Sequence, residues 1–536
     1  MPTIKSMVAE GMGVSPTPII RNGHNKPKLD IKNIPSEYLE RVPLRFARDH
    51  ALIAIGKTVE AGRTTYLLAS GFSDRQWAAD RIAYKLDAEV EMIAADEAEI
   101  SAMINRAYHA EAKEVAEVAN ELASSKSIAG EIRLTEDVLE LDDKAPAVKL
   151  VHAMLLQAVR QRASDIHIEP GEDGIRIRFR IDGVLFERAR LRPEVREGVA
   201  SRVKVMGRMD IAERRLPQDG GVTIRIGERR IDLRIATLPS QYGERLVLRL
   251  LDKQTGLLSL TGLGLSEDNL QRTKSLLQFS HGIILLTGPT GCGKTTTLYA
   301  MLSAMNSAEL NILTLEDPVE YQLPGICQTQ VSEKKGLTFA RGLRALVRQD
   351  PDIIMVGEIR DLETANVAIQ SALTGHLVFS TLHTNDAPSS ITRLLDLGVE
   401  PFLVSSSVNA TIAQRLVRRV CDHCKESIRL NYESAFALGW AQEDLNFLRE
   451  LNAPMIARHK GCETCFSTGF IGRTGIYEFL TMNDPIRDLV TRHASASEIR
   501  TAAIKNGMIT LRRDGLRQVA SGITTLEEVQ SVTQME

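Results

Sequence analysis

Residues 288–295, GPTGCGKT, have the residue types and the spacing of a loop that binds the phosphate groups of a nucleotide. The apolar run 283–287 before them predicts a buried strand, and the run 296–302 after them predicts a helix. Glycines let the backbone wrap a phosphate, and the helix N-terminus directs N–H groups at the anion. The residues predicted to bind ATP are Gly288, Pro289, Thr290, Gly291, Cys292, Gly293, Lys294, Thr295 and Thr296. Among them, Lys294 is expected to contact the β- and γ-phosphates, and Thr295 is expected to hold Mg²⁺.

Two glutamates follow predicted strands downstream of this loop. Glu316 ends the apolar stretch 311–316, and Glu358 ends the stretch 352–358. In an α/β sheet, carboxylates at the carboxyl ends of strands lie over the ligand crevice, so both are candidate catalytic groups. The sequence leaves open which one is the general base and which one lies on the metal side. A helix-capping role is the alternative, and two such strands beside a phosphate loop argue against it for both.

Several arginines are candidates to neutralise the charge that develops on a triphosphate during transfer. Arg344 and Arg348 lie four residues apart on a predicted helix, 339–349, and therefore share a face. Upstream, strands such as 175–182 alternate apolar and basic residues, and Arg234 belongs to one of them. The alternatives are solvated strand edges for the upstream arginines and pairing with Asp350 or Asp352 for the helical ones.

Four of the six cysteines form two C-x-x-C pairs. Two such pairs can place four thiolates around Zn²⁺, and the predicted ligands are Cys421, Cys424, Cys462 and Cys465. Redox chemistry is the alternative, but a redox C-x-x-C usually occurs singly beside a thioredoxin-like βαβ pattern, which this sequence lacks.

Composition limits the class of protein. The 536 residues are enough for several domains, and 43% hydrophobic with 25% charged residues is ordinary for a globular protein. A net charge of −3 does not indicate a general nucleic-acid binder. The chain has no apolar run of about 18 residues and no signal-peptide core, so a cytoplasmic location is expected.

Residues 149–477 resemble the ATPases of type II secretion and of type IV pilus assembly. The matching blocks are SDIHIEP at 164–170, RRLPQDG at 214–220, the phosphate loop, LEDPVE at 315–320, RQDPD at 348–352, GEIRD at 357–361, residues 375–384 and residues 469–478. The resemblance places Glu316 in the family's Asp box, Glu358 in its Walker B motif and His383 in its His box.

The resemblance implies an α/β fold: a RecA-like P-loop motor domain with a smaller α/β platform domain, an N-terminal adaptor domain and a tetra-cysteine zinc module. The expected domains are a flexible tail (1–30), the adaptor (31–122), a linker (123–146), a PAS-like platform (147–255), the ATPase core (256–420), the zinc-binding module (421–475) and a helical C-terminal region (476–536). The adaptor shows no catalytic pattern, so partner binding and a purely structural role both stay open.

The implied function is a hexameric ATPase that powers pilus or pseudopilus assembly. It would use ATP, Mg²⁺ and Zn²⁺, bind nucleotide between motor and platform, and attach to the inner membrane through the cytoplasmic domain of a secretion or pilus platform protein. No nucleic acid is expected as a partner. A nucleic-acid motor is the alternative outside the family, and a pilus retraction ATPase is the alternative within it.

Two positions depart from the family pattern. Cys292 stands where the family usually has serine, and Gly221 stands where many relatives carry arginine. The phosphate loop binds mainly through its backbone, so Cys292 should not prevent nucleotide binding. Arg234 or Arg225 could take the place of the arginine absent at position 221.

Overall fold

The computed structural model describes residues 33–42, 46–47, 50–60, 63–71, 76–110, 146–226, 229–252, 258–437, 440–451 and 455–533. The chain divides into two compact units, residues 1–254 and 255–536, close to the predicted boundary between platform and core. The predicted tail, and the predicted linker apart from Pro146, lie outside the described residues. Within the described residues, no helix has both the length and the apolar character needed to cross a membrane.

The N-terminal part of the first unit is a three-stranded sheet in the order β1-β2-β3. Its strands are β1 (Leu52–Glu60), β2 (Arg63–Ser70) and β3 (Glu89–Ala94), and its helices are Ser36–Arg41, Gln76–Leu86 and Glu97–Ala110. Strands β2 and β3 are parallel, and the helix between them is the crossover that a parallel pair requires. Strand β3 could not be predicted from the sequence, because glutamates interrupt its short apolar pattern.

The platform in the same unit is an antiparallel six-stranded sheet in the order β6-β5-β4-β9-β8-β7. Its strands are β4 (Ala163–Gly171), β5 (Gly174–Ile181), β6 (Val184–Leu191), β7 (Gln218–Ile226), β8 (Arg229–Ser240) and β9 (Gly243–Asp252), and its helices are Pro146–Arg160 and Arg196–Met206. Along β5, isoleucines and Phe179 are buried while the alternating arginines lie on the other face. The predicted half-buried strand with a cationic face is therefore present.

The second unit is built on a seven-stranded sheet in the order β12-β11-β13-β14-β10-β15-β18. The strands are β10 (Gly282–Thr287), β11 (Ile312–Glu316), β12 (Cys327–Gln330), β13 (Ile353–Val356), β14 (Leu377–Leu382), β15 (Val408–Val420) and β18 (Phe470–Thr481). All neighbours are parallel except β15 and β18. Every residue of β10 and β14 is buried, which is why both strands are continuous apolar runs in the sequence.

Helices pack on this sheet, and further helices follow its last strand, β18. Those within the motor are Glu267–Leu276, Lys294–Met305, Phe339–Leu346, Leu362–Leu373, Ala387–Asp396 and Pro401–Ser407. Those that follow β18 are Asp484–Thr491, Ala496–Lys505, Leu511–Ala520 and Leu526–Thr533. The predicted helix 339–349 is α-helical only as far as Leu346 and continues as a 3-10 turn, Val347–Gln349.

The cysteine-bearing segment is an insertion between two neighbouring strands of the main sheet. It contains the hairpin strands β16 (Lys425–Arg429) and β17 (Met455–His459) and the helices Tyr432–Ala437 and Gln442–Glu450. Strand β18 follows it and pairs along most of β15. The predicted boundary between residues 475 and 476 therefore falls inside a strand of the motor sheet.

Two buried carboxyl groups connect β18 to the C-terminal helix Leu511–Ala520 and to two helices of the motor. Glu478 accepts the N–H groups of Ala387 and Leu511, and so caps the first turns of two helices. Asp514 accepts the N–H of Tyr477 at 2.8 Å and the amide of Asn269 at 3.2 Å. Burial raises the pKa of Glu478, and it raises the pKa of Asp514 to about 6.

Candidate active site and metal centre

The glycine-rich loop lies between β10 and the helix Lys294–Met305, as the sequence predicts. Gly288, Gly291 and Gly293 have φ angles of 149°, 80° and 89°, a region that glycine adopts without strain. A Cβ on Gly288 would lie 2.6 Å from the Cys292 sulfur, so this position also has no room for a side chain. The loop therefore needs glycine for both its backbone conformation and its packing.

Lys294 is buried, and its side chain folds back over the loop. Nζ donates to the carbonyl of Gly288 at 2.6 Å and lies 3.3 Å from that of Pro289. Burial lowers the pKa of the ammonium and the nearby Arg415 acts in the same direction, whereas the Glu358 carboxylate acts in the opposite one. The lysine is therefore within electrostatic reach of the predicted Walker B glutamate.

Thr295 and Thr296 occupy the first turn of the helix and are partly buried, beside the N–H groups that a phosphate would meet. The side chain of Cys292 is buried beneath the loop, and burial raises the pKa of its thiol. A buried thiol with a raised pKa has little thiolate character and low reactivity.

Glu358 forms a polar centre with His383 and Arg360. One carboxylate oxygen lies 3.1 Å from His383 Nε2, and the other accepts from the Arg360 guanidinium, which raises the pKa of Arg360. The Glu358 side chain is only 13% exposed, whereas His383 and Arg360 are 49% and 61% exposed. The partly buried carboxylate is thus held by two groups that solvent can reach.

Glu316 has a different environment from Glu358. It is 3% exposed and accepts hydrogen bonds from Tyr299 Oη, from Thr314 Oγ1 at 2.5 Å and from Gln328 Nε2 at 3.0 Å. Burial raises the pKa of the Tyr299 hydroxyl, and its bond to Glu316 adds to this. Both oxygens of Glu316 are therefore engaged within the protein.

The partners of Glu316 belong to the helix of the phosphate loop and to a neighbouring strand. Tyr299 lies on the helix Lys294–Met305, and Gln328 lies on β12. Neither residue was among those predicted from the sequence. The only signal for Tyr299 was its place on the helix that follows the loop.

Arg344 and Arg348 contact residues other than Asp350 and Asp352, the partners considered from the sequence. Arg344 pairs with Glu363 at 2.7 Å, and Arg348 donates to the carbonyl of Arg344 at 2.7 Å. Asp352 instead accepts the backbone N–H of Asn311. Arg344 and Arg348 are close together and exposed, and no contact within the described part of this chain links them to the phosphate loop.

The platform arginines lie in the first unit. Gly221 on β7 is directly across from Arg234 on β8, and Arg234 is in turn across from Arg249 on β9. Directly opposed residues project from the same face of a sheet. An arginine at position 221 would therefore stand beside Arg234, whereas Arg225 lies farther along β7 opposite Arg230.

The four predicted zinc ligands form one cluster. Their Sγ atoms all lie within 4.8 Å of one another, and three of the pairs are 3.7–3.9 Å apart. A tetrahedral site with Zn–S bonds of about 2.3 Å has sulfurs about 3.8 Å apart, so the donor set fits Zn²⁺. A disulfide would require about 2.05 Å. His423, between two of the cysteines, is exposed and outside the cluster.

Backbone N–H groups favour the thiolate form in this cluster. The N–H groups of Cys462 and Gly469 donate to the Cys465 sulfur at 3.1 and 3.2 Å. The N–H of Cys465 lowers the pKa of Cys462 to about 6, while burial raises that of Cys421 to about 11. Zinc, when bound, would supply positive charge that favours deprotonation of all four sulfurs.

Comparison with known proteins identifies the family. The model of the type II/IV secretion system protein family matches residues 140–531. The chain is 45% identical to type II secretion system protein E of Aeromonas hydrophila over 512 residues, which cover 94% of this chain and 99% of that protein. It is 46% identical to type II secretion system ATPase E of Vibrio cholerae over 448 residues, covering 83% and 87% of the two chains.

Among solved structures, the ATPase DotB of Legionella pneumophila has the same fold, with a TM-score of 0.51, 21% identity, and coverage of 72% of this chain and 95% of that one. The chain thus belongs to the type II/IV secretion system protein family, the class of secretion ATPases that its sequence blocks resemble. Within that class, its curated relatives include type II secretion E proteins, which it matches over most of their length.

Proposed function

We propose that this chain hydrolyses ATP at the loop 288–295 and uses the energy to drive pseudopilus assembly in type II secretion. The observation that carries the proposal is the Glu358–His383 pair, which follows two strands of the same parallel sheet as the phosphate loop. The A. hydrophila relative, aligned over nearly the whole chain, supports type II secretion as the system.

In the proposed site, Lys294 and the backbone N–H groups of the loop bind the β- and γ-phosphates, and Thr295 binds Mg²⁺. The metal would neutralise phosphate charge when bound. Glu358 is the proposed general base, which accepts the proton of the attacking water, and His383 orients the carboxylate through its 3.1 Å contact. Glu316, engaged by three donors, is proposed to anchor the Asp-box segment instead.

The proposal extends to an assembly. Arg234, Arg344 and Arg348 would add positive charge at the nucleotide from the platform or from a neighbouring subunit of a hexamer. The adaptor would bind the cytoplasmic domain of an inner-membrane platform protein, which would hold the ATPase at the membrane. The cysteine cluster would bind one structural Zn²⁺, as its sulfur spacing favours.

The test compares Lys294→Ala with the exposed control Glu309→Gln in the full-length chain. Lys294→Ala should keep the melting temperature of the wild type and lower Mg-ATP turnover at least ~100-fold, the scale of losing a preorganised electrostatic contact. In a bacterial strain that does not produce this protein, Lys294→Ala should fail to restore secretion, whereas Glu309→Gln should restore it. Wild-type turnover in Lys294→Ala would refute the proposed site.

A further inference from the structure

Arg415 is a buried cation beside the phosphate loop that the sequence analysis did not single out. It lies on β15, the parallel neighbour of β10, and only 9% of its surface is exposed. A Cβ built on Gly288 would lie 3.1 Å from its Nη1 atom, so the guanidinium packs against the first glycine of the loop. Its charge also contributes to the lowered pKa of Lys294.

Among the described residues, the hydrogen bonds of Arg415 all end on uncharged oxygen atoms. Nη1 donates to the carbonyl of Gln414 at 3.0 Å, and Nη2 donates to the carbonyl of Asn385 at 2.7 Å. Nη2 is also 3.5 Å from the Asn385 side-chain oxygen. In the part of the chain that the structure describes, its ion pairs and hydrogen bonds include no carboxylate.

Lys294 lies next to Arg415 and is likewise a buried cation whose hydrogen bonds, within the described residues, include no carboxylate. Lys294 is also 9% exposed, and among the described residues its ammonium donates only to the carbonyls of Gly288 and Pro289. Carbonyl groups satisfy N–H donors without neutralising the positive charge. Glu358 acts on Lys294 at a distance, but among the described residues neither Lys294 nor Arg415 forms an ion pair, and burying such charges is unfavourable. Two neighbouring buried cations of this kind therefore form a site for an anion with more than one charge.

We infer that Arg415 is a second cation of the nucleotide site and binds the phosphate groups of ADP and ATP together with Lys294. The inference rests on the proposed function, because it assumes that the loop 288–295 holds the nucleotide. The carbonyl of Asn385 lies two residues beyond His383, so Arg415 also ties the segment that carries His383 to the strand beside the loop. Phosphate binding and the position of His383 would then depend on the same side chain.

The test compares Arg415→Met, which removes the charge and keeps a long unbranched side chain, with Arg415→Lys, which keeps the charge. Arg419→Met, an exposed position on the same strand, is the control. Binding of Mg-ADP to the full-length chain is measured by calorimetry, and inorganic pyrophosphate is measured as a competitor. Arg415→Met should raise both dissociation constants at least ~10-fold, the scale of one charge-assisted contact, and Arg415→Lys should raise them less.

Melting temperatures separate this role from a structural one. Without nucleotide, Arg415→Met should melt at or above the wild-type temperature, because removal of a buried charge relieves repulsion with Lys294. A lower melting temperature together with unchanged ADP and pyrophosphate binding would overturn the inference. If the wild type itself does not bind Mg-ADP, the proposed nucleotide site fails, which is a different result from equal binding by the wild type and Arg415→Met.

Discussion

His383 Nε2 lies 3.1 Å from Glu358 Oε2, although 25 residues separate the two in sequence. The contact follows from strand order: β13 and β14 are parallel neighbours, and each residue follows the carboxyl end of one of them. Because β14 also pairs with β10, the phosphate loop emerges at the same edge. One edge of the sheet thus brings together a phosphate loop, a partly buried carboxylate and an exposed imidazole.

The two glutamates should respond differently to the same substitution. Glu358→Gln should keep the wild-type melting temperature and Mg-ADP affinity but lower turnover at least ~100-fold, as expected for loss of a general base. Glu316→Gln should lower the melting temperature, because an amide turns one acceptor oxygen of a buried three-donor network into a donor. Turnover, Mg-ADP binding and thermal unfolding, measured on both variants, give the comparison. A Glu316→Gln chain with unchanged stability and a turnover as low as that of Glu358→Gln would make Glu316 the catalytic group.

Much of the motor sheet could be predicted from the sequence, but few of its polar contacts could be. Strands β10, β13 and β14 could be predicted because strands buried on both faces are continuous apolar runs. The contacts of β15 could not, since the hydrogen bond of Thr297 to Gln414 spans 117 residues and depends on the order of strands in the sheet. For the same reason, the sequence could not show that Arg415 lies beside the loop.

Zinc content should depend on the cysteine cluster. Gently purified wild-type chain should contain close to one equivalent of zinc by elemental analysis, and Cys462→Ser should contain much less, because one of four tetrahedral ligands is lost. Cys327→Ser, at an exposed cysteine outside the cluster, is the control and should keep its metal.

Loss of zinc should also affect the motor sheet. Cys421 directly follows β15, and Cys465 precedes β18, so a bound metal would fasten the ends of two paired strands. The melting temperature of Cys462→Ser should fall below those of the wild type and of Cys327→Ser. Wild-type chain without metal, or with these four thiols in disulfides under reducing intracellular conditions, would contradict the zinc assignment.

Asp514 should make stability depend on pH in a defined window. Burial raises its pKa from 3.8 to about 6, so between those values the folded chain holds a proton that the unfolded chain has lost. This contribution to stability is greatest below pH ~4 and is lost as the pH rises through about 6. A rise of about two pKa units, at about 1.36 kcal/mol each, corresponds to a change of ~3 kcal/mol in the free energy of unfolding.

Asp514→Asn removes this titration, and unfolding by denaturant at several pH values measures its effect. The difference in unfolding free energy between Asp514→Asn and the wild type should change in favour of the variant as the pH rises from about 4 to about 7. Asp396→Asn, at an exposed position, is the control variant. A constant difference for Asp514→Asn over that range would show that folding does not raise the pKa of the Asp514 carboxyl.

Mixing two inactive chains should restore activity if Arg344 acts across a subunit boundary. Arg344 is half exposed, and its partner Glu363 is more exposed still, so this ion pair is weak enough for a neighbouring subunit to rearrange. Arg344→Ala and Lys294→Ala should each have low turnover. Their mixture should exceed the sum of the two, because some interfaces reunite an intact phosphate loop with an intact arginine. Turnover of mixtures at matched total concentration, with Arg341→Ala replacing Arg344→Ala as the control, measures the effect. A mixture no more active than the sum of its two components would show that Arg344 does not act across a subunit boundary. Its role would then be its contact with Glu363 in its own chain. The proposed ATPase site would be unaffected by this result.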